Sequence, residues 1–149
     1  MFSDGRNEGQ FAASPTAGNP MSGPAHAGLF IYAKDVFRLA DFYETLLGMQ
    51  RLHVSAELVV LQSPGMQLVL HAMPPQYASS VSISSPPQRR ENTALKFFFT
   101  VASIEAAREV AARLGGEVLP EQWPGRGFRA RNAIDPEGNV FQLRERDPT

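Results

Sequence analysis

The chain has 149 residues, 43% of them hydrophobic and 19% charged, a balance that suits one compact domain. Its net charge of −1 leaves no basic footprint for nucleic acid or for an anionic membrane surface. The absence of cysteine excludes disulfides, thiolate metal ligands, iron–sulfur clusters and cysteine nucleophiles. No apolar run approaches the roughly 20 residues of a membrane span, and the N-terminus lacks a signal-like apolar core. A cytoplasmic protein is expected, with neither a nucleic-acid nor a membrane partner.

Residues 1–25 are rich in Gly, Ser, Pro, Asn and Ala and show no hydrophobic period, so they read as a flexible leader. Met21 is an alternative start, and an appended leader is the other reading. The folded part is expected from about His26. "LFIYAKDVFRLADFYETL" (29–46) follows and begins with an apolar run that reads as a strand. Asp35 is then placed as a helix N-cap, and Val36, Leu39, Phe42, Tyr43 and Leu46 form one helical stripe. Gly48 closes the helix as a C′ residue. Three short strands are expected near 50–56, 57–62 and 66–72. "ASSVSISSPPQRRENT" (78–93) is too polar and Pro-rich for a core element and reads as a linker or mobile flap, with "QRRE" a solvated charge cluster.

The same plan then returns. "FFFTVASIEAAREVAARL" (97–114) repeats the first unit at an offset of 68, with Ser103 as N-cap, Gly115 as C′ residue and Ile104, Ala107, Val110, Ala111 and Leu114 as the stripe. Strands are expected near 117–122, 127–134 and 139–145. "GMQLVLH" (65–71) matches "GNVFQLR" (138–144) at an offset of 73, which makes Val69 the counterpart of Gln142. The reading is an α+β fold, βαβββ–linker–βαβββ, with one module in 26–77 and the other in 94–149, packed as a pseudo-symmetric pair.

"DVFRLADFYETLLGM" (35–49) and "AIDPEGNVFQLRE" (133–145) resemble the vicinal-oxygen-chelate superfamily of glyoxalases, extradiol dioxygenases, and bleomycin- and fosfomycin-resistance proteins. The resemblance spans residues 26–146. It implies two tandem modules forming a curved mixed sheet around a cleft, and a homodimer. It also implies four metal-ligand positions, commonly two His and two Glu, which fall here on Gly28, Val69, Lys96 and Gln142. Gly and Val offer no side-chain donor, a lysine ammonium repels a cation, and Gln142 offers one neutral oxygen. No metal and no cofactor are therefore expected. His26 and His71 each stand two residues from a lost position, about 6.6 Å along a strand; a relocated site would use them, but neither has a carboxylate beside it.

Strand alternation then predicts what lines the cleft: Phe30 and Tyr32 from the first strand, Lys96, Phe98 and Thr100 from its repeat, and Val69, His71, Gln142 and Arg144 from the closing strands. Lys96, flanked by Leu95, Phe97 and Phe98, is expected in apolar surroundings that would desolvate its ammonium. It would bind a carboxylate or phosphate, act as a base or Schiff-base amine, or snorkel into water. Tyr32 is open between a ligand hydrogen bond and simple packing, whereas Tyr43 belongs to the core. The loop "EQWPGRGFRAR" (121–131) would close Trp123 and Arg126 over a ligand, or seal a sheet edge. Arg129 and Arg131 share one strand face, read as solvated.

Three functions follow, in order of preference. The first is metal-free binding of a small aromatic or anionic molecule. The second is a metal-independent enzyme of isomerase or lyase type using Lys96, Tyr32 or His71. The third is a glyoxalase- or dioxygenase-like metalloenzyme with a relocated site.

Overall fold

A computed structural model describes residues 24–148. The leader up to residue 23, Met21 included, lies outside the described residues. β1 (Gly28–Ala33) turns Leu29 and Ile31 towards the core and leaves Phe30 and Tyr32 on the other side. Asp35 accepts a hydrogen bond from the Arg38 amide at 3.1 Å and starts α1 (Val36–Leu47). Gly48, at φ +64°, stops it in the left-handed region. β2 (Gln50–Val54), β3 (Leu58–Ser63) and β4 (Met66–Ala72) form an antiparallel meander, and β1 joins β4 in parallel, giving the order β1-β4-β3-β2.

A short helix, α2 (Pro75–Ala78), leads into irregular chain. β5 (Phe98–Thr100) and α3 (Ile104–Arg113) follow, with Ser103 accepting from the Ala106 amide at 3.0 Å. β6 (Glu117–Pro124), β7 (Phe128–Ile134) and β8 (Val140–Arg146) complete a second sheet of order β5-β8-β7-β6. The fold is α+β, built from two paired βαβββ modules, each with an open four-stranded mixed sheet, as expected. Among the described residues no helix is long and apolar enough to cross a membrane.

Sheet register carries the internal repeat. Phe30 pairs with Val69 in the first sheet, and Phe98 with Gln142 in the second, as the two sequence offsets require. The α1 stripe is wholly buried, packed with Val59, Leu61, Leu68 and Leu70 of its own sheet and with Phe141 and Leu143 of the other. Phe97 stacks on Phe141 with centroids 5.2 Å apart, and Tyr43 meets Phe141 at 5.4 Å, so the halves share one core. Burying each such side chain contributes about 1.5–3 kcal/mol.

The turn between β7 and β8 joins the halves by polar contacts. Asp135 Oδ1 accepts from the Glu137 and Asn139 amides at 2.8 and 3.0 Å, and Oδ2 accepts from the Tyr43 hydroxyl at 2.7 Å. Glu137 reaches back to the start of α1, where its two oxygens accept from the Lys34 and Asp35 amides at 2.9 and 2.7 Å. Segment 78–93 is tied down at two points. Lys34 Nζ donates to the Val81 carbonyl, and Arg90 donates from its amide to Gly138 O and from Nε to Glu137 O. Within "QRRE", Arg89 and Glu91 pair at the surface, but Arg90 turns onto this turn and is no part of a solvated cluster.

Candidate functional site

Residues opposite one another in a ladder share a face, so register defines the side of each sheet away from the helices. In the first sheet Phe30 stands beside Val69 and Val60, and Tyr32 beside His71 and Leu58. In the second, Phe98 stands beside Gln142 and Asn132, and Thr100 beside Arg144, Ala130 and Trp123. Val60 and Ala130 are buried yet lie outside the main core cluster; they form the floor of these faces.

Large aromatic side chains stand on that floor. Phe30, Tyr32 and Phe98 are 59%, 55% and 52% exposed. Phe30 and Tyr32 stack with centroids 6.2 Å apart, and Tyr32 tilts against His71 at 5.6 Å. His71 Nδ1 lies 2.8 Å from the Ala72 carbonyl oxygen. Where Nδ1 donates to that oxygen, Nε2 is left as the acceptor of the ring.

On the second sheet Arg144 places its guanidinium carbon 3.6 Å from the Phe98 centroid and 4.4 Å from that of Phe128. Its Nε donates to Gln142 Oε1 at 2.8 Å. Lys96 Nζ donates to Asn132 Oδ1 at 3.2 Å. The apolar enclosure expected for Lys96 does not form. β5 begins only at Phe98, so Leu95 and Lys96 lie on the irregular approach, Phe97 turns to the core, and Leu95 is 80% exposed. A cavity of about 260 Å³ opens beside Lys96, lined also by Arg89, Arg90, Glu91 and Val140.

Three further placements correct the sequence reading. Trp123 belongs to β6, opposite Ala130, and is not on a loop that closes with Arg126. β6 is an edge strand, where Pro124 removes no needed donor. Arg126 is exposed in the turn between β6 and β7. Arg129 and Arg131 do share a face, but it is the helix side, and there they are half-buried and paired instead of freely solvated. Arg129 pairs with Glu145 at 2.6 Å, Glu145 also accepts from the Ile104 amide, and Arg131 Nε donates to the Leu119 carbonyl.

The four positions that the resemblance assigns to metal ligands do not suit a divalent cation. A Cβ at Gly28 would lie 2.7 Å from the Gln67 carbonyl oxygen, so the backbone leaves no room there for a ligating side chain. Val69 has no donor, Lys96 brings a positive charge, and Gln142 Oε1 already accepts from Arg144. Among the described residues no group of three His, Asp or Glu side chains is placed to hold a metal ion, and none forms around His26 or His71.

Sequence reasoning missed Asn132 and Phe128. Continuing the β7 alternation from Phe128 through Ala130 to Asn132 would have placed both on the face of Gln142 and Arg144. It also missed the buried pair Tyr43–Asp135. Burial pushes the Asp135 carboxyl above its ordinary value, against hydrogen bonds from Tyr43 and Asn139 that lower it. Burial, and then the Asp135 charge, push the Tyr43 hydroxyl well above its own.

Among solved structures, the chain is similar to a glyoxalase/bleomycin resistance protein/dioxygenase family enzyme from Burkholderia phytofirmans PsJN. That match has a TM-score of 0.63 at 18% identity and covers 81% of this chain and 98% of that one. It is also similar to a glyoxalase/bleomycin resistance protein from Albidiferax ferrireducens T118, with a TM-score of 0.58 at 18% identity over 81% and 98% of the two chains. The genomically encoded fosfomycin resistance protein FosX from Listeria monocytogenes gives a TM-score of 0.58 at 16% identity over 83% and 91%. No curated protein sequence matches significantly. A family model for the glyoxalase-like domain matches residues 28–144, nearly the whole of the two-sheet unit. With its paired βαβββ halves and this match, the chain belongs to the glyoxalase-like domain family.

Proposed function

We propose that the protein binds a small aromatic or anionic molecule in a cleft lined by the helix-free faces of its sheets, without a metal ion. The observation that carries this reading is the set of half-exposed aromatic side chains, Phe30 and Tyr32 on the first sheet and Phe98 on the second, with two cations on the second sheet's side whose side-chain hydrogen bonds among the described residues go to neutral amides, Lys96 to Asn132 and Arg144 to Gln142. Aromatic surface left in water on the helix-free face of a sheet is a common mark of a binding site. Positive charge on the same surface favours an anion over a cationic drug. A homodimer and a cytoplasmic location belong to the same proposal. The exposed apolar side chains Phe37 and Tyr77, which lie off these faces, support the first, and the cysteine-free composition supports the second.

The test is thermal melting of untagged protein with small aromatic carboxylates. A concentration-dependent rise in melting temperature is expected by mass action. Lys96→Ala and Phe98→Ala should remove that rise while leaving the unliganded melting temperature nearly unchanged, because both side chains are exposed. Absence of any rise across the series would count against binding at these faces.

A second reading, metal-independent proton transfer, is favoured by one observation. The Nδ1 contact of His71 with Ala72 O leaves Nε2 as a base on the same face as Tyr32. Turnover lost in His71→Ala with ligand affinity partly retained would promote it above binding.

A further inference from the structure

The neighbours of Arg144 narrow the ligand class, on the footing of the binding reading above. Its guanidinium lies over Phe98 from β5 and over Phe128 from β7, two rings on the strands that flank β8. Nε is tied to Gln142, which fixes the orientation of the plane. Among the described residues nothing accepts from Nη1 or Nη2. The free edge of the fork is therefore two parallel N–H donors held between aromatic walls.

The acids that would neutralise such a cation are elsewhere. β8 alternates, so Glu145 and Asp147 lie on the helix side, where both meet Arg129 at 2.6 and 3.7 Å. Glu145 is further committed to the Ile104 amide at 2.8 Å. On the helix-free side Arg144 shares its strand face with Arg146, and among the described residues Lys96 bonds to the neutral Asn132 and pairs with no acid. A guanidinium stacked on rings, pinned at Nε and without a counterion among the described residues is suited to receive a two-oxygen anion end-on. A phosphate can meet the same fork with two oxygens, so the aromatic surface beside it is what favours an arene acid. The exposed ring of Phe98 beside it offers a stacking surface to a flat ligand body.

We infer that Arg144 is the specificity-determining residue of this face, and that the ligand it selects is an arene carboxylate. The carboxylate takes Nη1 and Nη2, and the arene extends over the exposed aromatic side chains.

The experiment is calorimetric titration of the full chain with 2-naphthoate and with its neutral isostere 2-naphthamide. Wild-type protein should prefer the carboxylate by about tenfold or more, the worth of one charge-assisted pair. Arg144→Gln, and the milder Arg144→Lys, which keeps the charge but not the fork, should each lower naphthoate affinity by about tenfold and leave naphthamide within about twofold. Arg146→Gln should leave both within about twofold, because a general positive field is not what selects. Three results overturn the inference. Equal affinity of wild-type protein for the two probes sinks the carboxylate selection while leaving the binding reading intact. An equal loss in Arg144→Gln and Arg146→Gln reduces the effect to a bulk field. Failure of both probes to bind removes the inference and the binding reading together.

Discussion

The Tyr43 hydroxyl donates to Asp135 Oδ2 at 2.7 Å across 92 residues of sequence, and both side chains are fully buried. Tyr43 comes from α1 of the first half and Asp135 from the turn that opens β8 of the second. The bond thus fixes how the halves meet, and with them the two helix-free faces. Tyr43→Phe leaves a buried carboxylate short of one donor and should cost about 1–3 kcal/mol. Urea denaturation measures it, and an unchanged midpoint would mean that the aromatic packing alone sets the junction.

The same carboxyl makes a pH prediction. Its folded pKa is raised above the ordinary 3.8, so the native state holds the proton more tightly than the unfolded chain. The contribution of Asp135 to stability is therefore fully present below the unfolded value and is lost as pH rises through the folded one. Wild-type stability relative to Asp135→Asn should fall as pH rises across that window. Unfolding free energies of both proteins, measured from pH 3 to 7, test this; a difference that is flat or grows with pH would contradict it.

Glu137 is the second tie between the halves, accepting from the Lys34 and Asp35 amides at the head of α1. Glu137→Ala leaves two amides without their acceptor and should cost about 1–3 kcal/mol. Hydrogen exchange gives the local readout. The amides of Lys34 and Asp35 should lose protection beyond the global change, whereas uniform loss over the whole chain would show that Glu137 does not act locally.

Gly28 tests whether the family's metal site can be restored. With the Gln67 carbonyl 2.7 Å from where a Cβ would stand, Gly28→His must displace β1 from β4. A cost of about 1–3 kcal/mol follows from overpacking, with no tight Ni²⁺ binding gained when Gln142→Glu is added. A stable double variant that holds nickel would show that the backbone yields there.

The fold was legible because both of its periodicities are strong. Each helical stripe stands where the sequence puts it, as do the left-handed glycines Gly48 and Gly115, and the offset between Phe30 and Phe98 reappears as ladder register. Legibility failed where tertiary context overrides local signals. Pro124 and two nearby glycines read as a loop, yet an edge strand tolerates the proline. Arg129 and Arg131 read as solvated because single-strand alternation does not reveal that Glu145 and the Leu119 carbonyl wait beside them. Of the candidate site, the alternation of Phe30, Tyr32 and Phe98 was readable. The partners that hold its cations, Asn132 for Lys96 and Phe128 for Arg144, were within reach of the β7 alternation, but which cation each one meets depends on a ladder register that one strand does not reveal.

The central claim is that these faces bind a small aromatic or anionic molecule with no metal ion involved. It is tested most directly by calorimetric titration of untagged protein with an aromatic carboxylate. The titration is run once after dialysis against EDTA and once each after adding Ni²⁺, Zn²⁺, Mn²⁺ or Fe²⁺. The expected result is saturable binding after EDTA, with an affinity that none of the four ions changes. Binding that vanishes with EDTA and returns with one ion would contradict the claim, and would direct attention to His26 and His71 as ligands.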